Sequence, residues 1–244
     1  METDEYLKLA EFEDTMWYFR ALHRHVATMI RRHHPRAQGI HLEAGCGTGG
    51  FMRRASSWFP RLRYVGIDLS PIAVDLAKSK GTRGVARASS TSLPFADESM
   101  SVVTSLDVLQ HVPAQETAAS EFFRVLEPGG IAVINVAAYQ WLWSYHDTAT
   151  HALRRYTRTK LVKMFENAGF TTLQSTYWNF LPLPLVIAKR KLASGAHASD
   201  DVKNYPPIAE RILDAGMAAE RAWFSHVTRL PAGSSVLAAM RKPA

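Results

Sequence analysis

The chain has 244 residues, 47% hydrophobic and 21% charged, the balance of an ordinary soluble globular protein with one main domain, appended pieces and a sizeable core. Its formal net charge of +7 admits a nucleic-acid, membrane-surface or phosphorylated partner, but the lysines and arginines are scattered, so charge alone selects none. A single cysteine, Cys46, excludes an intramolecular disulfide and the acidic start Met1–Glu13 lacks a leader-like apolar segment, so the expected compartment is the cytoplasm; the longest apolar run, Phe180–Ala188, is far below the roughly 20 residues of a membrane-spanning helix.

From about Tyr6 to His33 the apolar residues Leu9, Phe12, Met16, Phe19, Leu22, Val26 and Ile30 recur every three or four positions, which predicts a helix ended by Pro35. Its stretch Trp17-Tyr18-Phe19-Arg20 is unusually aromatic. It either packs on a sheet or lies over a ligand, which makes Trp17, Tyr18 and Arg20 candidate acceptor contacts. Gly39–Ala44 reads as a short strand, Gly49–Trp58 as a helix, and Arg63–Ile67 as a second strand closed by Asp68.

The turn between the first strand and its helix is Leu42-Glu43-Ala44-Gly45-Cys46-Gly47-Thr48-Gly49-Gly50. Glycines there let the backbone turn sharply and approach a ligand, and unpaired N–H groups at the helix start face the site. A carboxylate at Asp68 can accept both hydroxyls of a ribose. The spacing Glu-x-Gly-x-Gly-x-Gly departs from a dinucleotide fingerprint and resembles motif I of the class I S-adenosylmethionine-dependent methyltransferases, in particular a bacterial small-molecule group, type 11-like, with a Leu-x-x-Gly-Cys-Gly-x-Gly turn. Three further stretches resemble that group in order: Ser92-Leu93-Pro94-Phe95-Ala96-Asp97-Glu98-Ser99-Met100, Leu106-Asp107-Val108-Leu109-Gln110-His111-Val112 and Phe123-Arg124-Val125-Leu126-Glu127-Pro128-Gly129-Gly130.

The resemblance implies an α/β fold with a Rossmann-like, seven-stranded, mostly parallel sheet and helices on both faces. It implies S-adenosylmethionine as cofactor, S-adenosylhomocysteine as product, and cofactor contacts from Glu43, Gly45, Cys46, Gly47, Gly49, Asp68, Leu69, Ser89, Ser90 and Leu106. Two positions depart from the group's pattern. Ser89 stands where relatives carry the acid that accepts from adenine, and Ser101 replaces a second Asp, a change expected to touch structure more than chemistry.

Tyr139 to Tyr156 follows the fifth expected strand and so emerges at the carboxyl edge of the sheet, where ligands of open α/β folds bind. Tyr139 and Trp143 could form an apolar wall, and His146, His151, Arg154 and Arg155 could supply a base or an anion clamp. Three readings stay open: a network in which Asp147 orients a histidine and the arginines pin the loop, a substrate site, or a metal site from His146, Asp147 and His151. Three possible ligands without an acidic cluster are thin, so no metal is expected. His111, just past the fourth strand, is the histidine placed by position to face the transferred methyl, and His111 and His146 are the candidate catalytic residues.

Thr157 can cap a helix Lys160–Ala168 that Gly169 ends, Phe170–Trp178 alternates as a sixth strand, and Ser234–Met240 reads as the last. About 55 residues intervene. They contain Phe180–Lys191, apolar then basic, and a helix with Ile208, Ile212, Ala215, Ala219 and Trp223 on one face, able to cover the pocket, a dimer partner or a membrane surface. The expected division is an N-terminal helical cap over 1–36, a methyltransferase core over 37–180, a helical insertion over 181–233 and the last core strand over 234–244. The expected function is methyl transfer to a small-molecule acceptor, a natural-product or glycoconjugate intermediate, by a monomer or homodimer with peripheral membrane contact possible in principle. The alternatives are a tRNA methyltransferase, for which no recognisable RNA-binding motif is present, and a protein that binds the cofactor without transferring methyl.

Overall fold

The computed structural model describes residues 3–192, 202, 205–226 and 229–244. The chain opens with helices α1 (Thr3–Phe12) and α2 (Trp17–His33), then alternates β1 (Gly39–Ala44), α3 (Gly50–Trp58), β2 (Leu62–Asp68), α4 (Pro71–Ser79), β3 (Val85–Arg87), β4 (Met100–Leu106), α5 (Gln115–Val125) and β5 (Leu126–Ala137). A short helix α6 (Tyr145–Ala149) leads to α7 (Arg158–Asn167) and β6 (Thr171–Trp178), and α8 (Leu183–Leu192) and α9 (Pro207–His226) precede β7 (Ser235–Arg241). The strands form one sheet in the order β3-β2-β1-β4-β5-β7-β6, in which β7 runs antiparallel to both neighbours.

The order reverses beside β1, whose partners are β2 and β4. In an open α/β sheet this switch point leaves a crevice beyond the strand ends. Its walls are firm because both faces of the sheet are packed. On one face α5 and α7 bury Phe122, Leu161 and Phe165 against Leu42, Val103 and Ile134. On the other, α2, α3 and α9 bury Val26, Phe51 and Phe224 against Val102, Val133 and Trp178.

Two expectations are corrected. The single N-terminal helix is broken at Glu13–Met16, because the Glu13 carboxylate turns to the start of α3, accepts from Gly50 N–H at 3.1 Å and pairs with Arg53 at 2.7 Å and Lys80 at 2.9 Å. The apolar stripe of α9 also faces outward: Ile208 and Ile212 are 72% and 66% exposed, while Met217, Glu220 and Phe224 face the protein. The buried Glu220 decides this rotation. It accepts from the N–H groups of Asn179, Phe180 and Leu181 at 2.6, 2.8 and 3.1 Å, closing the backbone after β6. The side chains of Lys189 and Lys191, which would meet the headgroups if the insertion covered a membrane surface, and the 193–201 connection lie outside the described residues.

His23, His25 and His41 are buried, and burial pushes their pKa values down to about 3, 4 and 3. The unfolded chain therefore binds more protons than the folded one below the ordinary value near 6.5. Stability is expected to be full above about pH 6.5 and to fall as the pH drops towards 4, by about 2 kcal/mol for each such histidine at pH 5. Urea unfolding at pH 7.5 and pH 5 checks this, and equal midpoints would contradict it.

Candidate active site

Gly45, Gly47 and Gly49 have φ of 85°, 51° and 82°, a conformation that favours glycine at each of the three positions. Gly45 N–H and Cys46 N–H both donate to the Ile67 carbonyl at 2.8 Å, which ties the turn to the end of β2. Asp68, the last residue of β2, accepts from Gly47 N–H and Ser70 N–H at 2.9 Å each. Each carboxylate oxygen keeps a second lone pair, so Asp68 can still take ribose hydroxyls. Burial raises its pKa, and the N–H groups of Ser70, Gly47 and Leu69 oppose that shift.

The surroundings fit an adenosine-bearing cofactor. Leu69 beside Asp68 is 65% exposed, an apolar surface available to a flat base. Glu43, at the end of β1, is buried with Oε2 unpartnered among the described residues; burial, then Glu13, holds its carboxyl well above the ordinary range. The cover over the turn comes from α1. Leu9 stands 3.2 Å from where a Cβ on Gly47 would be, and Tyr6 lies beside Asp68 and Ser70. Cys46 within the turn is buried, packed with Met52 and Val74, and burial lifts its thiol far above the ordinary range. Leu106 is half-buried at the end of β4. The Ser89 hydroxyl pairs with that of Thr91 at 2.7 Å, and Ser90 beside it is half-buried. Ser101 donates to the Ile40 carbonyl at 3.1 Å, a strand-to-strand contact.

On the other side of β1 lies a polar wall. Asp107, the first residue past β4, accepts from the Tyr18 hydroxyl at 3.0 Å and from Asn135 Nδ2 at 2.9 Å. Burial raises its pKa to about 6, against the hydrogen bonds from Tyr18, Gln110 and Asn135. His111 is half-buried, and its Nδ1 is without a partner among the described residues; burial lowers its pKa to about 4, opposed by a hydrogen bond to the His151 backbone. His146 lies within electrostatic reach of both Asp107 and His111, and its own Nδ1 is likewise unpartnered among the described residues. The structure thus brings Tyr18, Asp107, His111 and His146 together. Asp107 carried no expectation of its own, because its partners Tyr18 and Asn135 come from distant parts of the chain; its only local signal is a polar residue directly after an apolar strand.

The loop from Tyr139 to Tyr156 stands over this wall and is fixed largely by its own polar groups. Asp147 and Arg155 form a buried ion pair at 2.7 Å, with side chains 4% and 3% exposed. Arg155 also donates to the Ala138 carbonyl at 3.1 Å, and Asp147 closes a capping box with Ser144. Arg154 donates to the Val112 carbonyl at 2.6 Å, and Leu153 N–H to the Gln110 carbonyl at 2.8 Å, so the loop is stitched to the segment carrying His111. Tyr139 stacks between Trp141 and Tyr177 at 5.5 and 4.9 Å, Trp143 bonds Thr148, and His151 is exposed with φ of 56°.

Three residues expected at the acceptor are placed otherwise. Trp17 is packed in the core at 6% exposure. Arg20 clamps α2 to α9 through Glu210 at 3.1 Å and Asp214 at 2.6 Å, because the helix turns it away from the sheet edge where Tyr18 points. Arg155 faces inward onto Asp147. No group of three or more His, Cys, Asp or Glu side chains among the described residues is arranged to hold a metal. No described helix is long and apolar enough to cross a membrane.

Residues 42–134 match the family model described as a methyltransferase domain. An uncharacterized methyltransferase of Mycobacterium sp. (strain KMS) is 36% identical over 126 residues, 48% of this chain and 49% of that protein. The chain thus spans about half the length of the curated relatives it matches. Among solved structures, a phosphoethanolamine N-methyltransferase 2 of Haemonchus contortus in complex with S-adenosyl-L-methionine aligns with TM-score 0.61 at 17% identity, over 91% of this chain and 53% of that one. The cyclase SpnF aligns with TM-score 0.61 at 21% identity, over 91% of this chain and 81% of that one. Those two likenesses concern the fold. The glycine turn and Asp68 thus fall inside the stretch of the chain that matches a methyltransferase domain.

Proposed function

We propose that this protein transfers a methyl group from S-adenosylmethionine to a small-molecule acceptor by in-line displacement. The observation that carries the reading is the division of the crevice. Asp68 and Leu69 lie on the β2 side of the glycine turn, and Asp107 and His111 lie on the β4 side, against the Tyr139–Tyr156 loop that carries His146. When bound, the cofactor supplies a methyl already activated by its sulfonium, so the chain has to align a nucleophile and exclude water.

The protein's own groups suit that task. The α1 helix covers the turn, and Tyr18, Tyr139 and Trp143 supply aromatic surface around the acceptor side. His111 is neutral at pH 7 with a buried, unpartnered Nδ1, so it can take a proton from a hydroxyl nucleophile only if acceptor binding opens a path to that atom, and a value near 4 makes it a weak base. His111→Ala and His146→Ala are each expected to lower turnover about tenfold or more while changing cofactor affinity less than threefold. Full activity in both variants would remove the histidines from the chemistry.

Because the fold also carries a cyclase, product analysis is the direct test. The protein is incubated with methyl-deuterated S-adenosylmethionine and fractionated small-molecule and RNA extracts. Expected is S-adenosylhomocysteine together with the label in a small-molecule product. Label in RNA alone, or no S-adenosylhomocysteine with any fraction, overturns the proposal.

A further inference from the structure

Asp107 is held in a way that leaves its charge unanswered. Its φ of 57° is in the left-handed region, disfavoured for a residue other than glycine, so the chain accepts backbone strain to present this side chain. Its own N–H donates to the Asn135 carbonyl at 2.9 Å. Trp178 Nε1–H, which can only donate, reaches Asn135 Oδ1 at 2.7 Å, so the Asn135 amide presents its NH₂ to Asp107. The Tyr18 hydroxyl donates to the other oxygen, and Gln110 adds a further side-chain hydrogen bond. These neighbours suit an ionised carboxylate, and with its pKa near 6 Asp107 is ionised at pH 7.5. The groups that act most strongly on Asp107 include no lysine or arginine, and the one basic side chain among them is His146. A partly desolvated carboxylate without a cation is costly until a ligand brings one.

We propose that Asp107 is the counter-charge for the sulfonium of S-adenosylmethionine, so that the site distinguishes the charged donor from its thioether product. This rests on the methyl-donor reading of the glycine turn. The placement follows from the sheet: Asp68 ends β2 and Asp107 follows β4, with β1 and its turn between them. A donor whose ribose lies at Asp68 must direct its reacting end towards the acceptor loop, and Asp107 is the acid on that side. Glu43 is buried beneath the turn, and Asp68 belongs to the ribose side.

Isothermal titration at pH 7.5 with S-adenosylmethionine and S-adenosylhomocysteine tests this on the wild type, Asp107→Asn and Tyr18→Phe. Expected for Asp107→Asn is a loss of S-adenosylmethionine affinity of about 10-fold or more, with S-adenosylhomocysteine within about twofold of wild type. Tyr18→Phe keeps the carboxylate and is expected to change the ratio of the two affinities less than Asp107→Asn does. A parallel loss for both ligands makes Asp107 a support of the strand end, or a partner of the amino group both share, and overturns the proposal. So does an unchanged ratio with binding intact. Wild-type protein that binds neither ligand overturns the methyl-donor reading itself, and this inference with it.

Discussion

Gly45→Ala is expected to abolish cofactor binding and to destabilise the fold by about 3 kcal/mol, ~10 °C in Tm for a chain of this length. Two costs combine. An L side chain at φ of 85° is strained, and its Cβ would occupy space already taken by both methyls of Val108. Val108 follows Asp107, so relief by moving Val108 displaces the polar wall from the turn. The double variant Gly45→Ala/Val108→Ala is expected to recover the steric part and to keep a residual loss of about 1 kcal/mol from the backbone conformation. Thermal unfolding of both variants measures the two parts. Equal Tm for Gly45→Ala and wild type would contradict the tight seating of the turn.

Arg155→Met is expected to have an effect of similar size for a different reason. Burial by itself raises the Asp147 carboxyl, and the hydrogen bonds and charge of Arg155 with the Ser144 N–H more than reverse it, holding Asp147 below the ordinary carboxylate range. Removing the guanidinium leaves an uncompensated buried charge, at a cost of about 3–5 kcal/mol. The loop from Tyr139 to Tyr156 should then become sensitive to protease. In the wild type the pair contributes fully above the unfolded carboxylate pKa near 4, and its contribution is lost as the pH falls through the lower folded value. Asp147→Asn/Arg155→Met removes both charges and is expected to recover much of the loss. A single variant as stable and protease-resistant as wild type would show that the pair does not hold the loop.

The turn was legible because its requirements are local: three glycines in positive φ, a strand before, a helix after and an acid at the end of the next strand. The first, second, sixth and last strands followed from short runs punctuated by turn residues, the other three and the seven-stranded sheet only from the resemblance, and Thr157 and Gly169 bounded α7 as expected. The break at Glu13 was not legible, since the groups that hold Glu13 are Gly50, Arg53 and Lys80, far along the chain. The rotation of α9 was missed for a related reason: Ile208, Ile212 and Trp223 form the more apolar stripe, yet the backbone groups after β6 need the Glu220 carboxylate inside. Asp107 escaped notice because a strand-end acid becomes a site only once Tyr18 and Asn135 are brought to it. At the loop, the arginines pin the chain as the network alternative has it, but Asp147 bonds Arg155 and Ser144 rather than a histidine, and the acceptor itself is chosen by surfaces that periodicity does not encode.

The central claim is that the glycine turn and Asp68 hold S-adenosylmethionine. Its most direct measurement is calorimetric titration of the wild type and Asp68→Ala with S-adenosylmethionine and S-adenosylhomocysteine. Expected is saturable one-site binding of both by the wild type and an affinity loss of about tenfold or more for both in Asp68→Ala, which removes the charged acceptor for the ribose hydroxyls. Absence of binding by the folded wild type, or identical affinities in Asp68→Ala, would contradict the account.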